Sequence, residues 1–134
     1  MQARLYFPMN IEKHVEHWRK GAEEDWEVAQ DLLGIGRCRH ALFFAHLAVE
    51  KVIKACVTKV TGQVPPKTHN LLRLAQVSAL QTTSEQSGVL RRLNMHQLAG
   101  RYPGESSEME LSIEQAAELM KDAERILEWL KRKL

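Results

Sequence analysis

Three polar side chains stand four residues apart in a stretch that is otherwise apolar: His46, Glu50 and Lys54 are set among Ala45, Leu47, Ala48, Val49, Val52, Ile53, Ala55 and Cys56. On a helix that spacing makes a single stripe. Its imidazole can exchange a proton near neutral pH, its ammonium can hold an anion, and its carboxylate is placed to orient a cation rather than to touch phosphate. Further along, His69 follows Thr68 near a helix start, where backbone N–H groups and the helix dipole favour anions. Arg101-Tyr102-Pro103-Gly104 adds a guanidinium fork, an aromatic face and a turn to fix them. His46, Glu50, Lys54, His69, Arg101 and Tyr102 are therefore the candidate ligand-binding residues. Each has a structural alternative. Glu50 and Lys54 are in the favourable order for an i,i+4 ion pair of a few tenths of a kcal/mol, roughly 0.2–0.5 if exposed. His69 could serve the helix start alone, and Arg101 could cap helix carbonyls.

The elements that must carry these groups are helical throughout, because alternating β-branched runs between turns are absent. Asn10 is a good N-cap for a first helix to Leu33, with Trp18, Ala22, Trp26, Ala29 and Leu33 facing the core and Gly34 and Gly36 stopping it. A central helix runs from about Arg39 to Thr61 and ends at Gly62 before Pro65-Pro66. Ala45, Val49, Val52, Ile53, Cys56 and Val60 make one apolar face of it, and Phe43, Leu47 and Val57 lie opposite. Thr68 or Asn70 caps a short third helix through about Ala79. Thr83 with Gln86 forms a capping box for a fourth that ends near Ala99. After a loop over residues 100–111, Ser112 with Gln115 opens a last helix with Ile113, Ala116, Met120, Ala123, Leu127 and Leu130 on its apolar face. The expectation is an all-α, antiparallel bundle of four principal helices plus one short helix, a single domain over residues 1–134.

Composition sets the outer bounds. A 134-residue chain with 44% hydrophobic and 27% charged residues matches a globular domain with one core, and no apolar run approaches the roughly 20 residues that span a bilayer. The first ten residues lack the pattern of a secretory signal, and a cytoplasmic location without membrane attachment is expected. Cys38 and Cys56, the only cysteines, suit neither a thiolate metal site nor a redox pair. His14 and His17 have no third ligand in register, so neither a metal nor a cofactor is expected. Gly34-x-Gly36 ends a helix and follows no strand, which excludes a phosphate loop. The net charge of +2 conceals a partition: residues 37–101 carry ten Lys or Arg against Glu50 and Glu85, while both flanks are acidic. A basic middle can present a cationic face to phosphate, or simply reflect three differently solvated helices.

The ordered set of His46, Glu50-Lys51, Lys54-Ala55, Gly62, Pro66, Thr68-His69-Asn70-Leu71, Leu93-Asn94 and Arg101-Tyr102-Pro103 resembles the HEPN family (higher eukaryotes and prokaryotes nucleotide-binding domain) over residues 10–130. Asn70 departs from the Asp usual after this His. The resemblance implies a helical bundle, commonly homodimeric, often acting beside a small nucleotidyltransferase. It also implies a division between nucleotide-binding members and metal-independent ribonucleases that carry an Arg-x4–6-His motif. Arg91 and His96 match that motif formally. The His would be general base on a 2′-hydroxyl and the Arg would stabilise the phosphate. Residues five apart on a regular helix point about 140° apart, however, and the Tyr expected two residues after the His is replaced by Leu98. The reading carried forward is a module that binds nucleotide or RNA phosphate. Its alternatives are a ribonuclease toxin of a toxin–antitoxin pair using Arg91 and His96, and a bundle that only dimerises and docks a partner.

Overall fold

The computed structural model describes residues 10–101 and 111–134, the side chains of residues 100 and 101 excepted. Short-range chemistry sets the helix boundaries. Asn10 accepts from the Lys13 N–H at 3.1 Å and opens α1, Ile11–Gly34. That helix closes when the Arg37 and Gly36 N–H groups turn back to the Leu32 and Leu33 carbonyls. The closure needs a left-handed residue, and Gly36 supplies it at φ +81°. α2, Cys38–Thr61, ends on Gly62 in the same left-handed region. α3 is only Leu71–Val77, shorter than the sequence suggests, because Ser78 and Ala79 form its C-terminal turn. α4, Ser84–Arg101, opens on the Thr83 and Gln86 capping box, with both reciprocal bonds at 2.9 and 3.0 Å. It runs two residues past the Ala99 expected from sequence. α5, Ile113–Lys131, opens on the equivalent Ser112 and Gln115 box.

α2 is the central helix, packing against all four others. The start of α1 meets the end of α2, where Ile11 approaches Gly62, so these two helices are antiparallel. Lys59 near the end of α2 donates to the carbonyls of Lys133 and Leu134 after α5, so α2 and α5 run the same way. α4 runs against α2: the residues before it line a cleft with Cys56 and Lys59, and its Asn94 lies beside His46. Among the described residues the architecture is thus the all-α bundle of four long helices and one short one. No strand occurs among the described residues.

The core is built from the predicted stripes. Ala22 and Ala29 of α1, Val49, Val52, Ile53 and Cys56 of α2, and Ala116, Met120, Ala123, Leu127 and Leu130 of α5 are all buried. A fully buried Leu, Ile or Val contributes about 1.5–3 kcal/mol. Two expected core positions are on the surface: Val60 is 61% exposed and Ile113 46%. Both lie at helix ends, where the apolar face runs past the neighbour it packs against. Small residues allow α1 and α2 to approach closely. A Cβ on Gly21 would come within 3.2 Å of the Lys51 stem, which crosses there to reach Asp25 at 2.7 Å.

Candidate functional site

The segment between α2 and α3 climbs back along α2 and is pinned there by neutral groups. His46, with no exposed surface, directs its Nε2 to the His69 carbonyl at 2.9 Å and to Asn94 Oδ1 at 3.2 Å. A carbonyl only accepts, so Nε2 carries the proton. Asn94 Oδ1 also accepts from the Leu71 N–H at 3.0 Å, and its Nδ2 donates to Asn70 Oδ1 at 3.0 Å. Asn70 Oδ1 in turn caps α3 through the Leu72 and Arg73 N–H groups. Three side chains from α2, α4 and the loop thereby satisfy the backbone where the chain turns into α3. The Asn70 oxygen accepts every one of its bonds, which an Asp oxygen would do equally well.

Alongside lies a charged network. Glu50, 4% exposed, uses both oxygens inside the protein. Oε2 accepts from Lys54 Nζ at 2.9 Å, and Oε1 accepts from His69 Nδ1 at 3.0 Å. The Lys54 ammonium lies 5.3 Å from the centre of the Trp18 ring, a cation–π contact from α1. A buried carboxylate is costly without such partners. His46 Nδ1 stands 3.7 Å from Glu50 Oε1 and makes no hydrogen bond. Burial holds His46 below the ordinary histidine range, against the upward pull of Glu50, so two acceptors face each other there. The His69 side chain, by contrast, is half exposed.

Four of the six candidate ligand residues therefore meet: His46, Glu50 and Lys54 on one stripe of α2, with His69 brought to it from the loop. His46, Glu50 and Lys54 are all buried, Lys54 the least so at 9%, and of the four only the His69 ring is substantially exposed. Arg101 ends α4, but its side chain and the whole of Tyr102 lie outside the described residues. Arg91 and His96 are not brought together. Arg91 is exposed, whereas His96 is buried on an uninterrupted helix and held below the ordinary histidine range by burial and by Arg92. His14 and His17 are exposed. No cluster of three metal-ligating side chains occurs among the described residues. Nor is any described helix long and apolar enough to cross a membrane.

Sequence reasoning missed two contributors. Trp18 reads as core from its spacing but also lies under Lys54. Asn94 carries a stronger signal, an amide in mid-helix between Leu93 and Met95, where Asn is disfavoured unless its side chain has work to do. The basic middle is in part neutralised by the acidic flanks, since Lys51 pairs with Asp25 and Arg92 with Asp122. Arg37, Arg39, Lys67, Arg73 and Arg91 remain at the surface.

With this geometry in view, the sequence matches the family model of the HEPN domain over residues 15–133. The crystal structure of TT1696 from Thermus thermophilus has the same fold, with a TM-score of 0.78 at 24% identity, covering 90% of this chain and 98% of that one. ST0689, described as an archaeal HEPN homologue, gives a TM-score of 0.61 at 25% identity, covering 87% of this chain and 94% of its own. No curated protein matches the sequence significantly.

Proposed function

This chain belongs to the HEPN domain family, and from that membership we propose that it is a helical module binding the phosphate of a nucleotide or RNA where the loop before α3 lies against α2. Lys54 and His69 are the ligand-facing groups, and Arg101 and Tyr102 are carried forward from the sequence as further ligand contacts. The observation that carries this reading is the half-exposed His69 ring held by a buried carboxylate next to the Lys54 ammonium. Glu50 acts indirectly, orienting both partners. The module works as a homodimer beside a small nucleotidyltransferase, as its family membership suggests.

Hydrolysis through Arg91 and His96 receives less support, because a buried imidazole and an exposed guanidinium on different faces of one helix do not converge on a phosphate. One experiment separates the readings. Binding of labelled RNA and of a labelled nucleotide is measured in EDTA for wild type, His69→Ala, Arg101→Ala and His96→Ala, with cleavage followed in the same samples. Binding without cleavage, lost in His69→Ala and Arg101→Ala, is the expected result. Cleavage abolished by His96→Ala would replace it with the ribonuclease, and unaltered binding in Arg101→Ala would remove that residue from the site.

A further inference from the structure

We propose that the groove between the second half of α1 and the first half of α5 is a docking site for a basic amphipathic helix of a partner protein. The inference is independent of the phosphate-binding reading above and concerns another face of the molecule. Asp25, which takes the Lys51 ammonium from α2, and Gln30 on the groove stand about 140° apart around α1.

The groove follows from how the helices are placed. α1 and α5 run antiparallel along α2 and scarcely touch one another, which leaves an open trough of about 510 Å³ between them. Its floor is apolar: Trp26 and Leu33 of α1 and Ala117 of α5 are half-buried, and Met120 is buried. Ile113, 46% exposed, extends this surface at one end. At 1.5 Å per residue, Trp26 to Gly34 spans about 12 Å and Ile113 to Glu124 about 16 Å, two to three turns of a helix. A helix laid there anchors through apolar side chains at i, i+3 or i+4 and i+7.

Charge selects the partner. The basic residues of this chain are concentrated between Arg37 and Arg101, whereas the groove is flanked by its two acidic helices. α1 carries seven acidic against three basic side chains, and α5 five against three. Glu124 is on the rim itself. Glu27 stands three residues before Gln30 and Glu128 four after Glu124, on the same flanks of their helices, and all three carboxylates are exposed. Lys121 is the single cation among the residues lining the groove. A helix with lysine or arginine on either side of an apolar stripe therefore meets carboxylates on both walls, and an acidic helix is repelled. Two copies of this chain joined groove to groove would oppose like charges across an isologous contact.

Fluorescence anisotropy of a labelled peptide tests the proposal. The probe is a helix of about 14 residues, long enough to fill the groove, with leucine along one stripe and lysine elsewhere. It is compared with the same peptide carrying glutamate for lysine, each titrated with the full chain at physiological salt. The lysine peptide should bind and the glutamate peptide should not. Glu124→Lys should weaken binding about tenfold by turning an attraction into a repulsion, and Ala117→Trp, which fills the groove, by at least as much. Glu118→Lys makes the same change of charge on α5 about 120° around the helix from Glu124, and should bind as wild type does. Amide shifts on adding the peptide should cluster over residues 26–34 and 113–124. An equal loss in Glu118→Lys and Glu124→Lys would reduce the effect to net charge and overturn the site. So would unchanged binding in Ala117→Trp, a preference for the glutamate peptide, or no binding of either. Sedimentation of the chain alone covers the other occupant: a dimer abolished by Ala117→Trp would give the groove to a second copy and overturn the partner.

Discussion

Replacing Asn94 with Ala isolates the neutral network that holds the loop. The substitution removes the side-chain acceptor of the Leu71 N–H, on a residue with no exposed surface, and the amide bond to Asn70 Oδ1. A buried donor left without a partner costs about 1–3 kcal/mol, and the more exposed bond to Asn70 adds about 0.5 kcal/mol. Ala is the better helix former by roughly 0.6 kcal/mol, which offsets part of the loss. His46 keeps its bond to the His69 carbonyl, so no second buried group is stranded. The net expectation is about 2 kcal/mol of destabilisation, which moves the urea midpoint down by about 1 M for a slope near 2 kcal/mol per M. Hydrogen exchange should accelerate at the Leu71 amide beyond the global change. A midpoint shift below about 0.3 M at unchanged slope, with Leu71 still protected, would refute the claim that this side chain holds the loop.

Asn70→Asp should leave stability within about 0.5 kcal/mol of wild type in the same assay, because the oxygen accepts all its bonds and a negative charge suits the start of α3. Ala79 sits in the left-handed region at φ 58°, so Ala79→Gly should stabilise the fold by about 1 kcal/mol in urea unfolding. His46 and His96 are both held below the ordinary histidine value of 6.5, so the unfolded chain binds protons that the folded chain refuses. Their contribution is fully present above that value and is lost as pH falls below it; urea midpoints across this range should drop, less steeply in the His46→Gln, His96→Gln double variant. Burial pushes the Cys56 thiol up to about 11, so Ellman's reagent at neutral pH should label Cys38 readily and Cys56 only on unfolding.

What could be read in the sequence was what adjacent residues decide. The two capping boxes, the Asn10 cap, and the glycines after α1 and α2 each act within five residues, and all stand where the sequence puts them. The polar stripe was equally legible as a stripe, since 3.6-residue geometry guarantees it. His69 was grouped with it, but the bond from Asn94 was not foreseen, because that side chain reaches His46 from 48 residues away. Val60 and Ile113 were misplaced for a related reason: periodicity assigns a face but not where the neighbouring helix ends. The charge partition was visible in the sequence, while the pairing of Lys51 with Asp25 and of Arg92 with Asp122 is a property of packing.

The two networks around His69 do different physical work, and their separation makes the site intelligible. Amides and a neutral imidazole satisfy backbone groups at the turn into α3, and none of them carries a charge that must be removed from water. That part would serve in any bundle needing a loop laid against its central helix. The bonds from Glu50 to Lys54 and His69 satisfy no backbone group, and burying Glu50 carries a desolvation cost that apolar side chains of similar volume would avoid. Stability alone therefore gives no reason for a carboxylate at this position. A reason appears when the carboxylate is read through its partners. It orients one half-exposed imidazole and holds a buried ammonium against Trp18. The amides and His46, for their part, hold the loop through bonds in which the carboxylate takes no part.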